Sequence, residues 1–391
     1  MRLKEPFYRR KLSQIQEELE HRNLDGLFVH HHLNIFYAIG FFHTTTERPI
    51  CLFIPRSGGP LIFVPKLEED YVREAGLVPE VEVYFEYPGV VHPIDFMMER
   101  LAARGYGRSR IGFEGSMSVN TRERIGRALP EATWVEAGDI IASLRLVKEP
   151  EEIALHRKAS EYSDRMVEAG VAFVRERGRA GRFPSENEIA QYVTDWAINR
   201  MEEELEEVVV VSMLAGGLVY AGPRSAYPHG LPSQRRVQPG DNLILSLGCA
   251  VGAYFAECER TFFIGEPTAE QRRYYEVCRE AQEAGTLALQ PGTRCCDANR
   301  TCLGLIRERG MGEFIKHRQG HGIGITFHEP PWIEDGDTTV LRPGMVVSCE
   351  PGIYVPGHGG YRISDTVLVG EQGPERLTRF PRDLESVVID I

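Results

Sequence analysis

The chain lacks any apolar stretch long enough to cross a bilayer. Its longest run, LILSLGCAVGAYF (243–255), is broken by glycine and falls short of the roughly 20 residues a membrane helix needs. Its opening residues, MRLKEPFYRRKL, lack the apolar centre of a secretion signal. The eight cysteines form no CxxC pair and no dense disulfide spacing. Reduced thiols in a cytoplasmic protein are therefore expected, with the adjacent Cys295 and Cys296 read as a buried helix start. Basic charge is in deficit, with 45 Lys and Arg against 57 Asp and Glu and a formal net charge of −12. That disfavours non-specific binding to nucleic acid or to an anionic membrane. Sequence repeats and low-complexity tracts are absent as well.

What is present is a globular composition. Over 391 residues, 42% are hydrophobic and 26% charged, which suits two domains with cores large enough to need no disulfide or metal staple. Residues 8–22 carry Leu12, Ile15 and Leu19 on one helical face. Apolar runs at 26–29, 50–55, 60–64 and 110–113 read as strands, and helical patterns at 66–75, 93–104 and 119–128 lie between them. This alternation predicts an α/β domain over the first third. Pro150 followed by Glu151 and Glu152 starts a long helix, and Ser185 with Glu188 has capping-box spacing for a second. Strands then dominate at 206–214, 242–249, 253–263 and 345–355, with helices near 268–288 and 295–309. Few of these connections read as βαβ, so the second domain is expected to be antiparallel α+β. The stretch 221–241, rich in Pro and Gly, reads as a long structured loop.

Four segments of the second domain concentrate chemistry: PHGLP with His229, AECERTFF with Glu257 and Glu259, GHGIGITFHEPP with His321 and His328, and SCEPGIY with Glu350. GGYRISDT adds Arg362 and Asp365. Taken singly, a histidine in a turn or a Glu beside an Arg has a structural reading. Together they place charge among Cys, Phe and Val, where burial is costly unless the charge is paired or used. Strand alternation puts Glu257 and Glu259 on one face, with Cys258 and Arg260 on the other. Two carboxylates on one face of an apolar domain predict a pocket for a cation, either a metal or an organic guanidinium or amidinium.

The ordered set PHG, SLGC, ECERTFF, GHGIG–FHEP, MVVSCEPGIY and GGYRISDT resembles the family of methionine aminopeptidases, prolidases and creatinases. The leading domain and LRLVKEPEEIALHRKA resemble its creatinase–prolidase branch, so the likeness spans essentially the whole chain. It implies an α+β protein: an N-terminal α/β creatinase-type domain, 1–150, followed by a C-terminal pita-bread catalytic domain, 151–391. The family's metallopeptidases hold two metals through two Asp, one His and two Glu. The matching positions here are Ser246, Glu257, His321, Glu350 and Ser364. A neutral hydroxyl cannot replace a bridging carboxylate. The resemblance therefore implies no metal and no cofactor, and leaves open one ion held by Glu257, His321, Glu350 and Asp365.

Within the family the wording LSLGC (245–249), ERTFF (259–263) and MVVSCEP (345–351) is similar to metal-free creatinase. That likeness implies His229 as the catalytic base and Glu259 and Glu350 as binders of a substrate guanidinium. It also implies Arg48, in ERPICLF (47–53), as the anchor for a substrate carboxylate, reaching an active site near a homodimer interface. Glu257, His321, His328 and Arg362 would line the same pocket. The expected function is thus metal-independent hydrolysis of a C–N bond in a small guanidino or amidine carboxylate, such as creatine (to sarcosine and urea) or ectoine. FHEPPWIEDG (327–336) instead resembles a prolidase and supports the alternative of a metal-dependent Xaa-Pro dipeptidase. A non-catalytic binding module and a lyase using the same pocket are the other readings.

Overall fold

A computed structural model describes residues 2–74, 77, 80–208 and 215–391. The chain forms two compact units, Leu3–Arg145 and Leu146–Ile391. In the first, helix α1 (Glu5–His21) leads into strand β1 (Gly26–Val29) and helix α2 (His32–Ile39). Strands β2 (Cys51–Pro55) and β3 (Leu61–Pro65), helix α3 (Glu69–Glu74) and strand β4 (Glu80–Tyr84) follow. Helix α4 (Pro93–Ala103), strand β5 (Arg110–Phe113), helix α5 (Val119–Ala128), strand β6 (Thr133–Glu136) and helix α6 (Asp139–Leu146) complete it. The strands form one mixed sheet in the order β4-β3-β2-β1-β5-β6.

The expected α/β domain is borne out, and its departures from expectation have physical causes. β1, β2 and β3 are buried at every position, so they read as continuous apolar runs. β4 (EVEVY) and β6 (TWVE) are sheet edges with charged, partly exposed residues, and sequence pattern alone misses them. α2 is missed because HLNIFYAI is apolar almost all round. Its start is held by Glu114, 2% exposed, whose carboxylate accepts the backbone N–H of His30 (2.7 Å) and His31 (2.8 Å) and the Asn34 amide (2.6 Å).

The second unit opens with helix α7 (Pro150–Arg179) and helix α8 (Glu186–Glu204). Both begin with the capping boxes expected of Glu149/Glu152 and Ser185/Glu188. Strands β7 (Ala215–Ala221), β8 (Asn242–Val251) and β9 (Tyr254–Ile264) come next, then helices α9 (Ala269–Ala288) and α10 (Cys295–Glu308). The remaining strands are β10 (Gly320–Gly322), β11 (Glu329–Ile333), β12 (Val346–Cys349), β13 (Gly352–Val355), β14 (Gly359–Arg362) and β15 (Ser364–Gly370). The large sheet runs β11-β10-β12-β15-β9-β8-β7, every neighbouring pair antiparallel, and β13 pairs with β14. α7 packs across β8 and β9.

Of the strand expected at 206–214, residues 209–214 lie outside the described residues and 206–208 are not strand. The run 345–355 is two strands, because Pro351 has no N–H to continue a ladder. That break takes Glu350 off the strand. All eight cysteines are free and buried, and Cys295 begins α10. No helix among the described residues is long and apolar enough to cross a membrane.

Candidate active site

The antiparallel sheet builds the site from the inside. β8 and β9 pair with Ser246 opposite Glu259 and Gly248 opposite Glu257, and β15 adds Ser364 opposite Glu259. Alternation along β9 turns Glu257 and Glu259 into a cavity of about 880 Å³. Arg260, on the opposite face and fully buried, pairs with Asp365 at 2.7 Å. Asp365 also accepts bonds from Gln282 and Thr378, both at 2.9 Å. It is thus committed to the far side of the sheet, which corrects its place in the expected one-ion set.

Inside the cavity the carboxylates have taken partners. Glu259 Oε2 lies 2.6 Å from Arg362 Nε, and its other oxygen accepts the Ser246 hydroxyl. Glu257 accepts the Ser364 hydroxyl at 2.8 Å. His321, in β10 and 1% exposed, sets its Nε2 at 3.2 Å from Glu350 and 3.9 Å from Glu257. Its ring lies 3.8 Å, centroid to centroid, from that of His328.

Burial sets the electrostatics. It pushes the Glu257 carboxyl up to about 8, helped by the neighbouring charge of Glu350. It opposes ionisation of Glu350 too, but contact with His321 wins and lowers that group to about 2. For His321, burial disfavours the charge, yet Glu350 and Glu257 outweigh it and raise the imidazole to about 9. His328 is driven down to about 4 by burial and by the charge of His321. Near neutral pH the cluster of Glu257, His321 and Glu350 therefore holds one positive charge, on His321, against the charge of Glu350.

The loops are fixed by buried ion pairs and hydrogen bonds. His229 lies on the cavity wall, in the turn-rich segment between β7 and β8. That segment is tied to α8 by Glu186, fully buried, which accepts the N–H of Ala221 (2.9 Å), Arg224 Nε (3.0 Å) and the N–H (2.9 Å) and hydroxyl (2.6 Å) of Ser233. His328 precedes β11, where its neighbour Glu329 is held by Lys148 (3.1 Å) and the Thr326 hydroxyl (2.8 Å).

Glu257, Glu259, His229, His328, Glu350 and Arg362 thus line one cavity, and His321 is buried against Glu257, Glu350 and His328 beside it. Arg48 belongs to the N-terminal unit, where its guanidinium is engaged by Glu86 at 2.6 Å and by Glu47 at 2.5 Å. Sequence reasoning missed Lys316, His317, Arg318 and Trp332, which also line the cavity. A signal was available, since KHRQGHG (316–322) joins the first three to His321. Trp332 is a cross-strand choice, opposite His321 in the β10–β11 register.

Residues 154–371 match the model of metallopeptidase family M24, and residues 11–147 match the creatinase/prolidase N-terminal domain. The chain belongs to metallopeptidase family M24. It is 31% identical over 375 residues to the Xaa-Pro dipeptidase of Pyrococcus furiosus, covering 96% of this chain and 99% of that one. Among solved structures it is similar to dipeptidase PepE from Mycobacterium ulcerans (TM-score 0.85, 29% identity, 100% of both chains). It is also similar to the prolidase from Pyrococcus horikoshii (TM-score 0.82, 27% identity, 96% of this chain and 99% of that one).

As an M24 member the protein is a hydrolase, with the expected two-domain pita-bread architecture. The expectation of a metal-independent creatinase-like amidinohydrolase is overturned, because these relatives are dipeptidases and prolidases. The site supplies a physical reason. A substrate guanidinium needs two free carboxylates, but Glu259 already holds the guanidinium of Arg362 and Glu350 faces His321.

Proposed function

We propose that this M24 hydrolase is a metal-dependent dipeptidase acting on Xaa-Pro dipeptides with one divalent ion. The observation that carries the reading is the convergence of Glu257, His321 and His328, whose ligating atoms lie within 4.8 Å of one another. The fit to an ion rests on His321. Its Nδ1 lies 3.1 Å from the Gly322 carbonyl, which accepts the ring N–H and leaves Nε2 facing the carboxylates. That Nε2 is buried and makes no well-directed hydrogen bond among the described residues. A lone pair facing two carboxylates is repelled unless a proton or a metal ion stands between them. Donors around a tetrahedral ion with bonds of about 2.0–2.1 Å lie about 3.3 Å apart. Glu350 and Glu257, at 3.2 and 3.9 Å from Nε2, bracket that spacing. Two imidazoles with carboxylates suit a borderline ion such as zinc.

The donors fit one ion and not two. Ser246 and Ser364 give their hydroxyl protons to Glu259 and Glu257, and the charge of Glu259 is answered by Arg362. When bound, the ion would lower the pKa of the attacking water and polarise the scissile carbonyl. His229, whose ring makes no hydrogen bond among the described residues, would pass a proton to the leaving proline nitrogen. Leu218, Phe327 and Trp332 offer the pyrrolidine ring an apolar wall. The test is metal analysis of the purified protein, with assays on Xaa-Pro dipeptides before and after chelation. One ion per chain and hydrolysis that returns when the ion is restored are expected. Absence of peptide hydrolysis by the metal-loaded protein would refute the reading.

A further inference from the structure

The cavity differs in chemistry from one part of its lining to another. It presents the carboxylates of Glu257, Glu259 and Glu350, while Lys316 and Arg318 bring positive charge. Most buried cations of this domain are already matched: Arg362 by Glu259 at 2.6 Å, Arg260 by Asp365 at 2.7 Å and Lys148 by Glu329 at 3.1 Å. Arg318, half-buried, is different. Its Nε donates to the Gly320 carbonyl at 3.0 Å and its guanidinium lies over the Trp332 ring, 4.6 Å from the centroid. Neither Nη has a hydrogen-bond partner, and no carboxylate pairs with it, among the described residues. A guanidinium seated over an indole, with its Nε occupied and its two terminal nitrogens free, is prepared for bidentate binding of a carboxylate. Trp332 pairs with His321 across the β10–β11 register, so the fork is tied to the strand that carries the proposed metal ligand.

We propose that Arg318, stacked on Trp332, clamps the C-terminal carboxylate of the substrate and so selects dipeptides over peptides with a neutral end. Lys316, whose Nζ is 3.0 Å from the Ala226 carbonyl, adds positive charge to the same cavity without a planar fork. The proposal rests on the dipeptidase reading for its substrate, but not for its binding chemistry. A dipeptide carries one residue beyond the scissile bond, so a charge at that point measures substrate length. A longer peptide or an amide places a neutral group against the guanidinium and leaves it unpaired.

The test uses Arg318→Met, which keeps the stem over Trp332 and removes the fork. Affinity of the metal-loaded protein for glycyl-proline and for glycyl-prolinamide is read by calorimetry, alongside KM, kcat and bound metal. Glycyl-proline should bind about 10- to 100-fold more weakly to the variant, with a matching rise in KM and a smaller change in kcat. The amide should bind both proteins alike, and bound metal should not change. Equal affinity of the two proteins for glycyl-proline would overturn the anchor. So would a loss of affinity that is as large for the amide. If neither protein hydrolyses the dipeptide but the variant still loses carboxylate-dependent affinity, the anchor stands and the dipeptidase reading falls.

Discussion

The substitution Asp365→Asn separates a structural carboxylate from a metal ligand. Asp365 is fully buried and receives Arg260 Nη2 at 2.7 Å and the Thr378 hydroxyl at 2.9 Å on one oxygen, and the Gln282 amide at 2.9 Å on the other. Asparagine keeps the volume, so packing is unchanged. It removes the charge facing Arg260, and its NH₂ must face donors whichever way the amide turns. The Arg260 guanidinium keeps the carbonyls of Glu259 (2.8 Å), Ser364 (2.7 Å) and Phe380 (2.6 Å), but loses its counter-charge in a site closed to water. Breaking a buried pair in this way costs about 3–5 kcal/mol. At about 2–4 °C per kcal/mol for a domain of this size, Tm should fall by roughly 6–20 °C. Scanning calorimetry measures the fall, and metal analysis of the folded variant should find the wild-type content. A variant that melts with the wild type but has lost its metal would show Asp365 to be a ligand, and the commitment to Arg260 argued above would be wrong.

Three further outcomes follow from named contacts. Glu186→Gln leaves one acceptor oxygen for four donors, so kcat should drop about tenfold as the His229 loop loosens, while bound metal stays constant; steady-state kinetics with metal analysis decides. The β8–β9 turn holds Gly252 at φ 56° and Ala253 at φ 72°, both left-handed, so Ala253→Gly should stabilise the protein by about 0.5–1 kcal/mol in denaturant titration, and a loss of stability would contradict the strain. Burial opposes the charge of Glu114, but its hydrogen bonds prevail and hold its pKa below the ordinary carboxylate value. Its stabilisation is therefore present above that ordinary value and is lost as pH falls through the folded one. Glu114→Gln should cost about 2 kcal/mol at pH 7 and flatten the acid limb of stability against pH; an unchanged acid limb would deny Glu114 this role.

Much of the site was legible along the chain. Strand alternation alone sets Glu257 and Glu259 on one face and Arg260 on the other, because a strand turns successive side chains to opposite sides whatever it packs against. The segments that bear His229, His321, His328, Glu350 and Arg362 stand out as charge beside glycine and proline, and the structure sets four of these residues in the cavity wall with His321 buried against Glu350 and His328. The capping boxes of α7 and α8 are local and read directly. The edge strands β4 and β6 were hidden, because charge on a half-exposed strand gives no clear period.

What sequence by itself determined is the inventory of groups and the face each one takes. Which carboxylate remains free was decided by tertiary structure. Glu259 meets Arg362, and Arg260 meets Asp365, through the register of β9 on β15 and the path of β14 beside them, across more than a hundred residues of chain. Hence a pattern suggestive of two carboxylates for a foreign guanidinium became one carboxylate given to the protein's own arginine, with Glu257, His321 and His328 left close enough to hold the one ion proposed above. The stacking of Arg318 on Trp332 has the same origin. Charge pairing in a buried cavity depends on distances of a few ångströms between remote strands, and only the packed sheet sets those distances.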